Sequence, residues 1–331
     1  MKRANFPNVA FVTLVALVAA IGVAAFLRMT ANAENQQPSQ SATQTTPATD
    51  GSRIEYGTLQ STALGRDLPF AVQLPPSYDK DAKRRYPVLY FLHGMNGNER
   101  EFEARHVADK VNQLRQSHVI GEMIIIAPQG KNSFYLNAKN GEQYEDAIIK
   151  DLVPYVEKTY RAVGTRDARA IQGISMGGFG ALVLAFKHPE IFSSVTAHCA
   201  AIFSELPDVS GADRYSQFRR QLVGKIFGDP PDAEFFKANN PTDVATSNAA
   251  SIKKTGLKIY FDVGEQDRYQ FAAPNKTFDE HLTKLGIAHK FNLFQGNHGW
   301  EYMISVADNS YGFLWGNFKV GGKPLSAQSS K

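Results

Sequence analysis

The sequence predicts an α/β domain built on a mostly parallel sheet with helices on both faces, and three observations carry that prediction. Short, continuously apolar runs such as Tyr86–Leu92 (YPVLYFL) have the character of strands buried on both faces. Between them lie longer stretches with apolar residues at helical spacing, which implies βαβ units and helices covering the sheet. The chain, at 331 residues with 43% apolar and 21% charged residues, is long enough to bury a substantial core and has an ordinary globular balance.

Taken in order, Ile54–Leu59 and Leu68–Leu74 read as strands at an antiparallel edge, the second closed by Pro75-Pro76. Tyr86–Leu92 is a buried parallel strand. Glu99–Gln116 has a polar helical pattern. Met123–Ala127 (MIIIA) is a second buried strand, stopped by Pro128. Tyr144–Tyr160 spaces its apolar residues as a helix, kinked at Pro154 because proline lacks the amide that would continue the hydrogen-bond ladder. Ala168–Ile174 is a third central strand and Gly177–Lys187 a helix. Ser193–Ala197 and Leu257–Val263 (LKIYFDV) are the fourth and fifth strands. Phe278–Leu285 is a helix, Lys290–Phe294 a sixth strand, and Trp300–Phe318 a closing helix. In sheets of this type ligands bind outside the carboxyl ends of the strands, so the residues that follow each strand are the ones to inspect for chemistry.

The ends of the chain have a different composition. Met1-Lys2-Arg3 is followed by the uncharged apolar run Val9–Leu27 and by Ala31-Asn32-Ala33, an A-x-A cleavage pattern. Residues 1–33 therefore read as a signal peptide or, because the run is long enough to span a bilayer, as a signal anchor. Either reading predicts export, to the periplasm or beyond, or anchoring on the outer face of the cytoplasmic membrane. Residues 34–52 are rich in Gln, Ser, Thr and Pro and read as a flexible linker. A single catalytic domain is expected over 53–320, with 321–331 as a disordered tail.

The net charge of +4 is small and spread along the chain, so nucleic acid is not an expected partner. Cys199 is the only cysteine, which excludes an internal disulfide, and no Cys/His cluster has the spacing of a zinc site. No metal or organic cofactor is expected.

Gly173-Ile174-Ser175-Met176-Gly177 is a G-x-S-x-G motif placed directly after an apolar strand and before a helix. That context makes Ser175 a nucleophile on a sharp, strained turn, its hydroxyl exposed above the sheet. The hydroxyl needs a base. Of eight histidines, His298 lies in Gln295-Gly296-Asn297-His298-Gly299-Trp300, between the last strand and the final helix, where the α/β-hydrolase order Ser–acid–His places the base. The acid should follow Leu257–Val263. Asp262, Glu265 and Asp267 compete; Asp267 is favoured because a carboxylate in the loop beyond Gly264 can turn back to the histidine. His93-Gly94 after the first buried strand resembles the segment that gives an oxyanion-hole amide, so the backbone N–H groups of Met95 and Met176 are expected to converge on the carbonyl oxygen. His93 itself is expected to be structural, His198 to line the pocket, and Cys199 to be a buried, inert thiol. The long segment Ala201–Lys254 carries Phe203, Tyr215, Phe218, Phe227, Phe235 and Phe236 and is expected to form a partly helical, cap-like insertion that sets acyl or alcohol preference.

Together the stretches YPVLYFLHGMNG, GISMGGFGALVLAFKHPEIF, IFGDPPDAEFFKANNP, YFDVGEQDRY and GNHGWEYM resemble the esterase family of α/β-hydrolases that includes esterase D-like enzymes, feruloyl and acetyl-xylan esterases and mycolyltransferases. The resemblance runs from about Arg53 to Phe318. It implies a serine-dependent carboxylic ester hydrolase working through an acyl-enzyme, on an extracytoplasmic ester such as a carbohydrate-linked acetyl or feruloyl group or a small acyl ester. Three alternatives accompany it: an acyltransferase of the mycolyltransferase type, a thioesterase similar to S-formylglutathione hydrolases, and a catalytically silent binding protein on the same fold. S-formylglutathione hydrolases are cytosolic and usually carry a different run after His-Gly, whereas mycolyltransferases usually lack such a His-Gly segment. Feruloyl esterases often carry carbohydrate-binding modules, for which this sequence has no candidate.

Overall fold

The structure is a computed structural model and describes residues 46–47, 50–211 and 213–325. Nine strands form one sheet in the order β1-β2-β3-β5-β4-β6-β7-β8-β9. The edge strands β1 (Thr46–Pro47), β2 (Arg53–Ser61) and β3 (Arg66–Leu74) are antiparallel, and β3 joins β5 (Ile124–Pro128) antiparallel. From β5 the sheet is parallel through β4 (Val88–Leu92), β6 (Arg169–Ile174), β7 (Ser194–His198), β8 (Lys258–Gly264) and β9 (Lys290–Phe294). The expected α/β class with a mostly parallel sheet is what the chain adopts.

The continuous apolar runs follow from having helices on both faces. In β4, Tyr90 and Leu92 enter one hydrophobic cluster while Leu89 and Phe91 enter the other. Neighbouring side chains of a strand point to opposite faces, so a strand covered on both sides has no polar position to spare. The first cluster receives the helix after β6, α5 (Met176–Lys187), through Phe179, Leu182 and Phe186. The second receives α2 (Val107–Gln116) and the closing helix α11 (Trp300–Asn317) through Val111, Leu114, Leu314 and Trp315. Each such fully buried side chain stabilises the fold by roughly 1.5–3 kcal/mol.

Two helices differ from expectation. The polar stretch after β4 is split into α1 (Glu101–Ala104) and α2 at His106, which adopts a left-handed φ of 60°. The break lets Phe102 and Val107 both enter the second cluster. The Tyr144–Tyr160 stretch is α3 (Tyr144–Asp146), a π-helical turn (Ala147–Leu152) and α4 (Val153–Thr159). Pro154 stands in the first turn of α4, and the wide π turn lies just ahead of the residue that cannot donate.

Two boundaries also move. Asp50 and Ser52, read as linker, belong to the fold: Asp50 pairs with Arg115 at 2.7 Å, and buried Ser52 donates to Asp50 and to Asn112. The 321–331 tail begins as a small hairpin of β10 (Lys319–Val320) and β11 (Lys323–Pro324), turned by Gly321 and Gly322 at φ 58° and 77°, with Leu325 donating back to Phe318. Residues 1–33, expected to be a signal peptide or signal anchor, most of the stretch expected to be a linker, and residues 326–331 lie outside the described residues. Among the described residues no helix is long and apolar enough to cross a membrane.

The segment after β7 is helical: α6 (Arg214–Phe227), α7 (Ala233–Lys237), α8 (Pro241–Ser247) and α9 (Ala249–Thr255). Val223, Ile226, Phe227, Phe236 and Val244 join the first core cluster instead of forming a separate one. Phe227 packs edge-to-face on Phe235 and Phe236. The side chains of Tyr215 and Phe218 lie outside the described residues. A further helix, α10 (Ala272–Lys284), links β8 to β9.

Candidate active site

The strand–turn–helix geometry around Ser175 is imposed by its neighbours. Ser175 links β6 to α5 with φ 57° and ψ −117°, a conformation costing a non-glycine residue of order 1–3 kcal/mol. The strain is held by hydrogen bonds to the helix that follows and to the chain at and after the end of β7. The Ser175 amide donates to the His198 carbonyl at 2.8 Å, and its own carbonyl accepts from Phe179 at 3.0 Å and Ala201 at 3.1 Å. Glycine is required on either side for lack of space. A Cβ on Gly173 would lie 2.1 Å from the Gly177 carbonyl oxygen, and one on Gly177 would lie 2.1 Å from that of Leu92.

The His298 Nε2 stands 2.9 Å from Ser175 Oγ, and its Nδ1 stands 2.7 Å from Asp267 Oδ2. A carboxylate can only accept, so Nδ1 carries the proton, which leaves Nε2 of the neutral ring to accept from the serine hydroxyl. Asp267 is buried, and its second oxygen accepts the amides of Tyr269 at 2.8 Å and Phe271 at 3.5 Å. The loops after β8 and β9 are clasped together: Asn297 Oδ1 accepts from the Arg268 and His298 amides, while the Gln266 amide donates to the Gly296 carbonyl.

The other two carboxylates are engaged elsewhere. Asp262, fully buried, takes His198 Nδ1 at 2.9 Å and the hydroxyls of Tyr260 and Tyr302 at 2.8 and 3.0 Å. Glu265 is exposed and meets the side chains of Gln266 and Gln295. Several other histidines are likewise occupied: His106 by Asp109, His188 by Glu145, His281 by Thr246 and His289 by Asp279. His198, expected to line the pocket, has no exposed surface; it lies within the sheet beside Gln172 and Ser310.

His-Gly lies against the serine. A Cβ on Gly94 would be 3.6 Å from Ser175 Cβ. His93 is buried, and burial pushes its imidazole pKa down to about 4. Its Nε2 accepts the Gly130 amide at 2.9 Å, so Nδ1 holds the proton and donates to the Gly94 carbonyl at 2.7 Å. That carbonyl also accepts the Gly97 amide at 3.1 Å. Across the trans peptide plane, the Met95 N–H points the opposite way, free of both bonds. Met176 is the first residue of α5, where amides have no intrahelical acceptor and the helix dipole is positive. Asn96, at φ 61°, ties this loop to Asn132 by paired bonds of 2.7 and 2.8 Å.

Cys199 is buried, and burial raises its thiol pKa. Among the described residues, Cys199, Asp267 and His298 form the grouping whose ligand-type atoms come within 4.8 Å of one another, but the carboxylate and the imidazole are already bonded to each other. A row of aromatic rings leads toward His298. Phe134, Phe179 and Phe203 pack together, Phe203 meets Phe271 at 6.2 Å, and Phe271 meets the His298 ring at 5.7 Å. Phe203 is thus the contact between the segment after β7 and this row. Sequence reading missed Tyr269, the Asn297 clasp and the His93–Gly130 bond; the first two lie next to motif residues, but nothing in their spacing signals a role.

The family model described as "Putative esterase" matches residues 61–306. An esterase of Mycobacterium tuberculosis strain H37Rv, Esterase Rv1288, is 28% identical over 262 residues, covering 74% of this chain and 56% of that protein. The chain therefore spans about half the length of that curated relative. An endo-1,4-beta-xylanase/feruloyl esterase of Xylanibacter ruminicola is 28% identical over 147 residues, 42% of this chain and 20% of that one. Among solved structures, a ferulic acid esterase superposes with a TM-score of 0.67 at 27% identity, covering 80% of this chain and 97% of the other.

Proposed function

The chain belongs to the esterase family of α/β-hydrolases, and from that premise we propose that it is a serine-dependent carboxylic ester hydrolase whose catalytic groups are Ser175, His298 and Asp267. One observation carries the reading: an unbroken hydrogen-bonded chain from Ser175 Oγ through His298 to Asp267 at the carboxyl ends of the strands.

The reaction proceeds in two halves. His298 Nε2 takes the Ser175 proton as Oγ attacks the ester carbonyl, forming a tetrahedral oxyanion that rests on the Met95 and Met176 amides. Each such donor is worth roughly 10²–10³ in rate. Asp267 keeps the proton on Nδ1 and stabilises the imidazolium without being protonated. His298 then protonates the leaving alcohol, and the acyl group stays on Ser175. Water, activated by the same imidazole, releases the acid and restores the serine. No step calls for a metal or an organic cofactor.

The substrate class follows from two supports. Relatives named as feruloyl or ferulic acid esterases make a carbohydrate-linked ester the first candidate. The charged start, apolar run and A-x-A pattern of residues 1–33 support an extracytoplasmic location for it. The test is Ser175→Ala on p-nitrophenyl acetate. Loss of about 10⁴-fold or more in kcat with an unchanged Tm is the expected result. A folded variant with wild-type turnover would refute the proposal.

A further inference from the structure

Tyr269 is 47% exposed, and with Leu293 it is one of two large apolar side chains standing out in solvent among the described residues. Leu293 lies on the edge strand β9, but Tyr269 lies at the site. Its ring meets the His298 imidazole edge-to-face, with centroids 4.7 Å apart and planes at 87°. Its backbone amide holds Asp267 Oδ1 at 2.8 Å, so the ring is presented from a fixed peptide. The exposed Arg268 places its guanidinium 5.1 Å from the ring centroid.

Holding Asp267 requires only an amide, which any residue but proline supplies. An aromatic ring left in water at this position therefore calls for another explanation. The proposed mechanism supplies one. His298 Nε2 must reach the oxygen of the departing alcohol to protonate it, so the alcohol lies on the His298 side of the scissile bond and the acyl group lies beyond it. A ring packed on the imidazole and open to solvent borders the alcohol.

On the strength of the ester-hydrolase reading above, we propose that Tyr269 and Arg268 form a subsite for a leaving alcohol that carries a sugar ring. The apolar C–H face of a pyranose lies on the tyrosine, which has a large, rigid surface and few rotors to immobilise. The ring hydroxyls accept from the guanidinium, which has five donors. An aromatic alcohol would share the stacking but offers no hydroxyl array to Arg268.

The test uses three esters that form the same acetyl-enzyme: ethyl acetate, phenyl acetate and an acetylated methyl pyranoside. Deacylation is then common to all, and kcat/KM isolates the alcohol. Tyr269→Ala should lower kcat/KM for the pyranoside relative to ethyl acetate by about tenfold, mainly through KM, and Tyr269→Phe should restore most of it. Arg268→Ala should lower the pyranoside relative to phenyl acetate. An equal loss on all three esters would assign the ring to supporting His298 and overturn the subsite. A loss confined to phenyl acetate, or no change in any ratio, would overturn the sugar assignment. Failure of the underlying reading looks different: wild-type protein would hydrolyse none of the esters, or would do so without Ser175.

Discussion

Asp267 differs from Asp262 and Glu265 in what surrounds it rather than in chemistry. Asp262 lies inside the apolar run and the other two just after it, yet the structure gives them three environments. Asp267→Asn should lower kcat by about 10³–10⁴-fold, because an amide facing Nδ1 favours the wrong imidazole tautomer. Glu265→Gln, on an exposed carboxylate, should change it by less than about twofold. Asp262→Ala should instead act on stability, by about 3 kcal/mol, since it leaves His198, Tyr260 and Tyr302 without their buried acceptor. Kinetics and urea melts on the three variants separate these roles. His93 adds a pH dependence. Its folded pKa is pushed down to about 4 from an ordinary 6.5, so between these values the unfolded chain binds the proton and the folded one does not. Stability should therefore rise with pH across that window and fall as pH drops through it, by up to about 3 kcal/mol from this group. His93→Gln should flatten the slope of urea-derived stability between pH 4 and 6.5; an unaltered slope would mean that His93 does not carry it.

At the scale of elements, β6, Ser175 and α5 pack so closely that two glycines have backbone oxygens where a Cβ would go. Gly173→Ala and Gly177→Ala should each cost about 3 kcal/mol or more, lowering Tm by about 10 °C if the variants fold at all. Gly316 is a contrast: it lies in α11 with open space around it, so Gly316→Ala should raise stability by about 0.5–1 kcal/mol. Thermal melts decide both. The eight strands β2 to β9 were legible to within a residue or two, since runs such as VLYFL and IIIAP are apolar on both faces and are bounded by a proline, whereas β1, β10 and β11, of two residues each, are too short to leave a pattern. Helix interiors were less so. The break at His106 depends on which side chains the second core must receive, and the π turn ahead of Pro154 on how the helix accommodates a missing donor; neither alters the local pattern. The His198–Asp262 pair was not legible because it joins neighbouring strands whose register is set by the whole sheet.

At the scale of the molecule, the order Ser175, Asp267, His298 places three residues distant in sequence after β6, β8 and β9, at the carboxyl ends of the parallel part of one sheet. That arrangement was readable from the sequence because the fold fixes where strand ends lie, whereas the exposure of Tyr269 depends on loop packing that no spacing encodes. The segment after β7 contributes its helices to the main core and Phe203 to the ring cluster with Phe134 and with Phe179 of the helix that follows Ser175, so acyl preference should respond to Phe203 more than to the helices. Phe203→Ala should change the kcat/KM ratio between long- and short-chain p-nitrophenyl esters by about tenfold, and Lys225→Ala should leave it within twofold. The proposed role of Ser175 as nucleophile can be read out by reaction of the purified chain with a fluorophosphonate, followed by digestion and mass spectrometry. A single adduct on the Ser175 peptide is expected, abolished in Ser175→Ala and strongly slowed in His298→Ala. An adduct on another residue, formed while Ser175→Ala retains wild-type turnover, would contradict it.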